Sequence, residues 1–288
     1  MRRRDLLGAA PAVMMARRAR AAEMAAYEET ARRIMDAALA DDRGWAKLEW
    51  LCDRIGARLS GSKALEQAVR WAAEEMRKRG LENVATPAVQ VPVWVRGKES
   101  AWMVEPREAR LAMLGLGGSV GTPEEGITAE VVCVESFEEL EKLGAGAVQG
   151  KVVAYNQPWR GYRETVAYRS QGASRAARLG ARAVLVRSVT PTGLRTPHTG
   201  ALNYSGDAPR IPAAAISVED AMMLARLCRS GARVVVRLRM GARTLEDAAS
   251  ANVIGEIAGR ERPEEIVVMG GHLDSWDVGQ GAHDDGAG

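Results

Sequence analysis

Ile266-Val267-Val268-Met269 is an unbroken apolar run that leads directly into Gly270-Gly271-His272-Leu273-Asp274-Ser275. A strand with one wet face alternates apolar and polar residues, so a run that is apolar throughout is expected of a strand buried on both faces, as in a parallel sheet covered by helices. The stretch therefore predicts an α/β chain. In open sheets of this kind ligands collect beyond the carboxyl ends of the strands, and here an imidazole and a carboxylate stand there. Asp284 follows twelve residues after His272, inside Gly281-Ala282-His283-Asp284-Asp285-Gly286-Ala287-Gly288, where glycines let the backbone bend closely.

The remainder of the chain agrees with that class. From Glu23 to Ile55 the apolar residues Trp45, Leu48, Leu51, Cys52 and Ile55 recur at helical spacing and read as a core-facing stripe. Ser60-Gly61-Ser62 starts a second helix with Leu65, Val69, Ala72 and Met76 inward, and Gly80 ends it as a left-handed cap. Val89 to Val95 alternates as a strand, although Pro92 donates no ladder bond and places it at an edge. After a glycine-rich hinge at Leu114-Gly115-Leu116-Gly117-Gly118, strands are expected at Glu130–Val134, Lys151–Tyr155, Ala183–Arg187, Ala213–Ser217 and Arg233–Arg239. Helices are expected around Ser170–Leu179 and over Val218–Arg229, the latter with Met222, Met223, Leu224 and Leu227 on its apolar side. This β-rich portion reads as a self-contained domain inserted into a larger one.

Charge and cysteine content exclude several classes. The 40 basic and 37 acidic side chains nearly cancel, and no long run of one sign follows the first twenty residues, so a nucleic-acid surface is not indicated. Cys52, Cys133 and Cys228 lie in apolar stretches without C-x-x-C spacing and read as buried thiols rather than a thiolate zinc site or a disulfide framework. Arg2-Arg3-Arg4, the apolar stretch from Leu6 to Ala16 and Ala19-Arg20-Ala21 together read as an export signal, resembling the twin-arginine type. The chain is accordingly expected to be exported, periplasmic or secreted, without a stable membrane anchor.

Residues 270–288 resemble the metal-binding stretch of the co-catalytic zinc aminopeptidase and carboxypeptidase family. Leu51–Ser62, Val91–Gly97, Leu114–Pro123, Tyr155–Trp159 and Arg187–Gly200 carry the same resemblance, so it covers nearly everything after the leader. It implies an α/β zinc-peptidase domain with a mostly parallel sheet, incomplete in this chain, carrying an inserted β-rich protease-associated domain. The implied division is an export signal at 1–22, the first part of the peptidase domain at 23–117, the insert at 118–243 and the core with the metal motif at 244–288.

The resemblance also assigns roles. His272 is the imidazole ligand to one zinc, Asp284 bridges two Zn2+ ions, and Asp274 orients the ligand imidazole. Asp285 is a neighbour of the site, and a cis bond is implied between Asp284 and Asp285. Zinc accepts neutral imidazole and carboxylate oxygen, and two adjacent dications acidify a water while polarising a carbonyl. His283 reads as solvent-facing, and His198 as part of a turn-rich loop. The implied activity is a zinc-dependent exopeptidase cleaving dipeptides or short peptides with a free terminus, with a homodimer as the implied assembly. A catalytically silent binding module of the same fold is the competing class. In that family further ligands and a general-base glutamate follow the bridging aspartate. They would lie beyond Gly288, so this chain by itself is expected to be a C-terminally truncated and inactive form.

Overall fold

A computed structural model of the 288-residue chain describes residues 27–288. The export segment predicted at the N-terminus lies outside the described residues. Two compact units are formed: one by the described residues up to Arg58 together with Glu264–Gly288, the other by Leu59–Pro263.

In chain order the elements of the larger unit are α3 (Lys63–Lys78), β1 (Glu82–Ala85), β2 (Ala88–Val91), β3 (Trp94–Val95), β4 (Glu99–Glu105), β5 (Ala109–Leu111), β6 (Met113–Gly115) and β7 (Ile127–Val134). Then come α4 (Phe137–Val148), β8 (Val152–Tyr155), α5 (Tyr162–Arg178), β9 (Ala183–Arg187), β10 (Ala213–Ile216), α6 (Val218–Arg229) and β11 (Val235–Met240). The last are β12 (Arg243–Thr244), β13 (Ala248–Ala251) and β14 (Ile254–Glu256). Eight of the strands form one mixed sheet in the order β5-β4-β11-β7-β8-β9-β10-β6. Its middle, β7 to β10, is parallel, and the flanking pairs are antiparallel. The two edge strands β5 and β6 are separated by Ala112 alone. Two residues span roughly 7 Å of chain, so the sheet has to curl until its edges meet.

The central strands are apolar throughout because both their faces are covered. Val152, Ala154, Ala183, Leu185, Ala214 and Ile216 pack with Ala221 and Leu224 of α6. The alternate residues Val153, Tyr155, Val184, Val186, Ala213 and Ala215 pack with Phe137 and Leu140 of α4 and with Ala173 and Ala176 of α5. Close approach of α5 depends on Gly172. A Cβ there would lie 2.8 Å from the Tyr155 ring, whose hydroxyl donates to the Gly172 carbonyl at 3.0 Å.

Strand placement follows the sequence reading over 127–240, and α6 and β9 have the expected bounds. Several details differ. The supposed hinge around Leu114–Gly118 enters the sheet: Gly115 is in β6, its N–H donates to Glu99 Oε2 at 3.0 Å, and its carbonyl accepts from Arg96. Strands β4, β5 and β6, which precede residue 118, thus belong to the same sheet as β7 to β11. Helix α5 starts eight residues earlier than Ser170, at Tyr162, and α4 was not expected at all. Met222 of α6 is exposed, because Val218, Ala221, Leu224 and Ala225 face the core instead. The single edge strand expected over Val89–Val95 is instead broken at Pro92 into β2 and β3, and β2 pairs only with β13 among the described strands.

The smaller unit contains α1 (residues 27–39), α2 (Arg43–Trp50), a π-helical turn at Leu51–Ile55, a kinked, non-helical turn at Ala282–Gly286 and the connecting 264–281 segment. Of the predicted stripe Leu51 is buried and Leu48 half-buried, whereas Trp45 is 70% exposed. A larger correction concerns Ile266–Met269: these residues are not a strand and are 83 to 91% exposed. A strand takes its hydrogen bonds from neighbours, and no described strand pairs with them.

Candidate metal centre

The predicted site residues all fall in the smaller unit, and Arg58 organises them. Its side chain is fully buried, which is rare for a guanidinium without a dedicated carboxylate. Instead its donors are divided among backbone carbonyls: Nε to Leu273 at 2.8 Å, Nη1 to Gly56 at 2.6 Å and Gln280 at 2.5 Å, and Nη2 to Gly281 at 3.2 Å. The backbone adds a reciprocal pair. Arg58 N–H donates to Ser275 Oγ at 2.9 Å, and Ser275 N–H donates to the Arg58 carbonyl at 3.0 Å. Burial pulls the Arg58 guanidinium below its ordinary pKa, with Cys52 and Asp274 opposing. Gly281 is required where this cluster is densest. It has φ +61, and a Cβ there would strike Ser275 Cβ and come within 2.9 Å of Arg58 Nη2.

This scaffold carries His272, Asp274, Asp284 and Asp285 close together. His272 Nε2 is 2.9 Å from Asp284 Oδ1. His272 Nδ1 is 2.9 Å from the Asp274 carbonyl oxygen and 3.3 Å from Asp274 Oδ1. Nδ1 is therefore approached more closely by the backbone of Asp274 than by its carboxylate. Asp285 Oδ2 accepts from the His272 backbone N–H at 3.1 Å, and the Asp284–Asp285 peptide bond is cis, as the resemblance implies. Burial alone would lower the His272 pKa. The Asp274 carbonyl and the carboxylates of Asp284 and Asp274 outweigh it and raise the value. His283 is exposed, and His198 lies in the 188–212 loop of the other unit, where its N–H donates to Ser188 Oγ.

An imidazole nitrogen and a carboxylate oxygen converging from one loop is a donor set that zinc accepts. Both side chains are accessible, at 51% and 83% exposure. The fit is partial, because no group of three or more His, Cys, Asp or Glu side chains able to hold a metal gathers among the described residues. Arg58 was missed in the sequence reading. It lies in the Leu51–Ser62 stretch, but nothing local distinguishes a buried arginine from a solvated one when the Leu273 and Gln280 carbonyls that hold it are more than two hundred residues away.

Residues 252–288, the stretch that carries the candidate centre, match the model of peptidase family M28. The chain as a whole is similar to carboxypeptidase Q of Bos taurus, at 49% identity over 92% of this chain and 57% of that protein. Carboxypeptidase Q of Homo sapiens matches over the same shares at 48% identity. Among solved structures, the peptidase M28 precursor from Shewanella amazonensis SB2B superposes with a TM-score of 0.86 at 35% identity, covering 90% of this chain and 60% of that one. A zinc aminopeptidase from Bacillus subtilis shares the fold at a TM-score of 0.56 and 21% identity, with 84% of this chain and 53% of that one covered. The chain thus spans 57% of the length of the curated relatives it matches. Among the described residues no helix is long and apolar enough to cross a membrane.

Proposed function

We propose that this chain provides the first part of the metal centre of an exported, zinc-dependent exopeptidase that hydrolyses dipeptides or short peptides with a free terminus. The observation that carries the reading is the convergence of His272 Nε2 and Asp284 Oδ1, 2.9 Å apart, within the segment that matches the peptidase family. In this reading His272 and Asp284 are the residues that would hold zinc. Zinc, when bound, polarises the scissile carbonyl and acidifies water. The chain's own residues supply orientation. Asp274 fixes the imidazole through Nδ1, which leaves Nε2 for the metal, and Asp285 anchors the backbone of His272. Arg58 keeps the 273–281 loop in place behind them. The sheet-bearing part of the larger unit, which takes in β4 to β6 before residue 118, is read as a protease-associated insert.

A catalytic zinc takes three protein ligands, and the donors gathered here are one imidazole and one carboxylate. The 288-residue chain alone is therefore expected to turn over no dipeptide, whereas a longer protein containing it does so. The test is release of free amino acid from a dipeptide panel by both proteins, after chelation and after zinc is restored. Turnover by the longer protein that survives exhaustive chelation would remove the metal from the reading.

A further inference from the structure

Two sulfurs that the candidate centre does not use lie side by side in the larger unit. Cys133 is the penultimate residue of β7 and Cys228 the penultimate residue of α6. They are 95 residues apart in sequence, yet their Sγ atoms are 3.0 Å apart and share a hydrogen bond. Both are free thiols and both are half-buried, so they are neither sealed in the core nor loosely exposed. The backbone beneath each is fixed. Cys133 sits opposite Ala154 in the β7–β8 ladder, and α6 is anchored by Ala221 and Leu224 in the core. No third metal-binding side chain joins them among the described residues, which disfavours a thiolate metal site. A disulfide needs its sulfurs at about 2.05 Å, so closing the bond takes a shift of roughly 1 Å, within reach of small side-chain rotations.

We propose that Cys133 and Cys228 form a reversible disulfide site, which clamps the last turn of α6 to β7 when the chain meets a disulfide oxidant such as glutathione disulfide. The shared hydrogen bond, and then burial, push the Cys133 thiol up, while the same bond holds the Cys228 thiol below its ordinary value. Cys228 is therefore the first nucleophile. Its thiolate attacks one sulfur of the oxidant, forming a mixed disulfide and expelling one glutathione thiolate. The Cys133 thiolate then attacks Cys228 Sγ, forming the protein disulfide and expelling the second glutathione. The oxidant gains two electrons, and the protons lost by the two cysteines are taken up by the two leaving thiolates. The bond would close a loop of about 95 residues, which restricts the unfolded chain more than a short loop does.

The test uses the whole chain, equilibrated with glutathione disulfide, quenched by alkylation and mapped by peptide mass before and after dithiothreitol. The expected result is a dithiothreitol-sensitive link between the Cys133 and Cys228 peptides with Cys52 alkylated. The oxidised form should unfold on the order of 5–10 °C higher than the reduced one. The same buffer in concentrated urea should give mixed pairings among all three cysteines, because proximity is lost. In Cys133→Ser the reaction should stop at a glutathione adduct on Cys228. Alkylation of both Cys133 and Cys228 after native oxidation, stable glutathione adducts on each of them, or native pairing no more selective than in urea would each overturn the proposal.

Discussion

Two apolar runs of nearly the same composition end in opposite surroundings. Ala183–Val186 of β9 is at most 1% exposed, whereas Ile266–Met269 is 83 to 91% exposed. The first has β8 on one side, β10 on the other, α5 against one face and α6 against the other. The second has no described strand to pair with. An apolar run thus records a demand for burial, and neighbours decide whether that demand is met. The larger unit meets it internally. The smaller one fixes its site mainly through a polar hub, Arg58, with Leu48 and Leu51 close to Gly286.

If that contrast is right, the site and the sheet can be damaged separately. The largest effect is expected on activity. In a longer protein containing the chain, His272→Ala should lower dipeptide turnover by roughly 10³-fold or more, equivalent to about 4 kcal/mol of transition-state stabilisation. Asp274→Asn should cost about 10- to 100-fold, the usual effect of removing a group that orients a metal ligand. Neither should move the thermal unfolding of the sheet by more than about 1 °C. Loss of sheet stability in parallel with turnover would mean that the two regions are not separable.

The second effect sets the apolar runs against each other. Leu185→Ala should destabilise the chain by about 2–5 kcal/mol, since Leu185 is fully buried in the core. In the 288-residue chain Val267→Ala should cost less than about 0.5 kcal/mol, because Val267 is already 90% exposed. Urea denaturation measures both. Equal costs would show that the apolar run is covered in solution, for example by a second copy of the chain.

Third comes the hub. Arg58→Met removes the donors to the carbonyls of Gly56, Leu273, Gln280 and Gly281. The expected cost is about 2–3 kcal/mol, confined to the smaller unit. Amide exchange of Ser275, whose N–H donates to the Arg58 carbonyl, should accelerate while exchange in β9 stays unchanged. Arg58→Lys should restore little, because one ammonium cannot reproduce the fork that serves four carbonyls. Unchanged Ser275 exchange in Arg58→Met would assign the loop's order to some other contact.

Local rules carried much of this structure into the sequence. The bounds of α6 and the left-handed Gly80 at φ +80 depend on residues within one or two turns of each other, so they could be read directly. Packing facts were not readable. Trp45 and Leu51 share a helical stripe, but the first is exposed and the second buried, with Leu51 close to Gly286. The nearness of Cys133 to Cys228 and the role of Arg58 arise from contacts 95 and more than 200 residues apart, beyond any periodicity. At the candidate site, the closeness of His272 to Asp284 was accessible because both lie on one loop and the motif resembled a known one.

The smallest effect tests whether burial or chemistry sets the cost of a polar contact. Ser217 caps α6, its Oγ accepting from the Asp220 N–H at 3.1 Å, and Ser62 caps α3 in the same way from Leu65 at 3.1 Å. The bonds are alike, but Ser217 is fully buried while Ser62 is half-buried. When Ser62 is truncated, water can reach the freed Leu65 N–H, so Ser62→Ala should cost about 0.5 kcal/mol. When Ser217 is truncated, the Asp220 N–H keeps no such replacement, so Ser217→Ala should cost at least twice that, about 1–2 kcal/mol. Both are read as a shift of the urea midpoint at unchanged slope, which ensures that the unfolded state is the same in the two experiments. A Ser62→Ala cost equal to or above that of Ser217→Ala would mean that the cap's own geometry decides its worth. The contrast between the well-covered sheet and the exposed Ile266–Met269 run would then lose its simplest explanation, that burial by neighbours is what gives a local preference its weight.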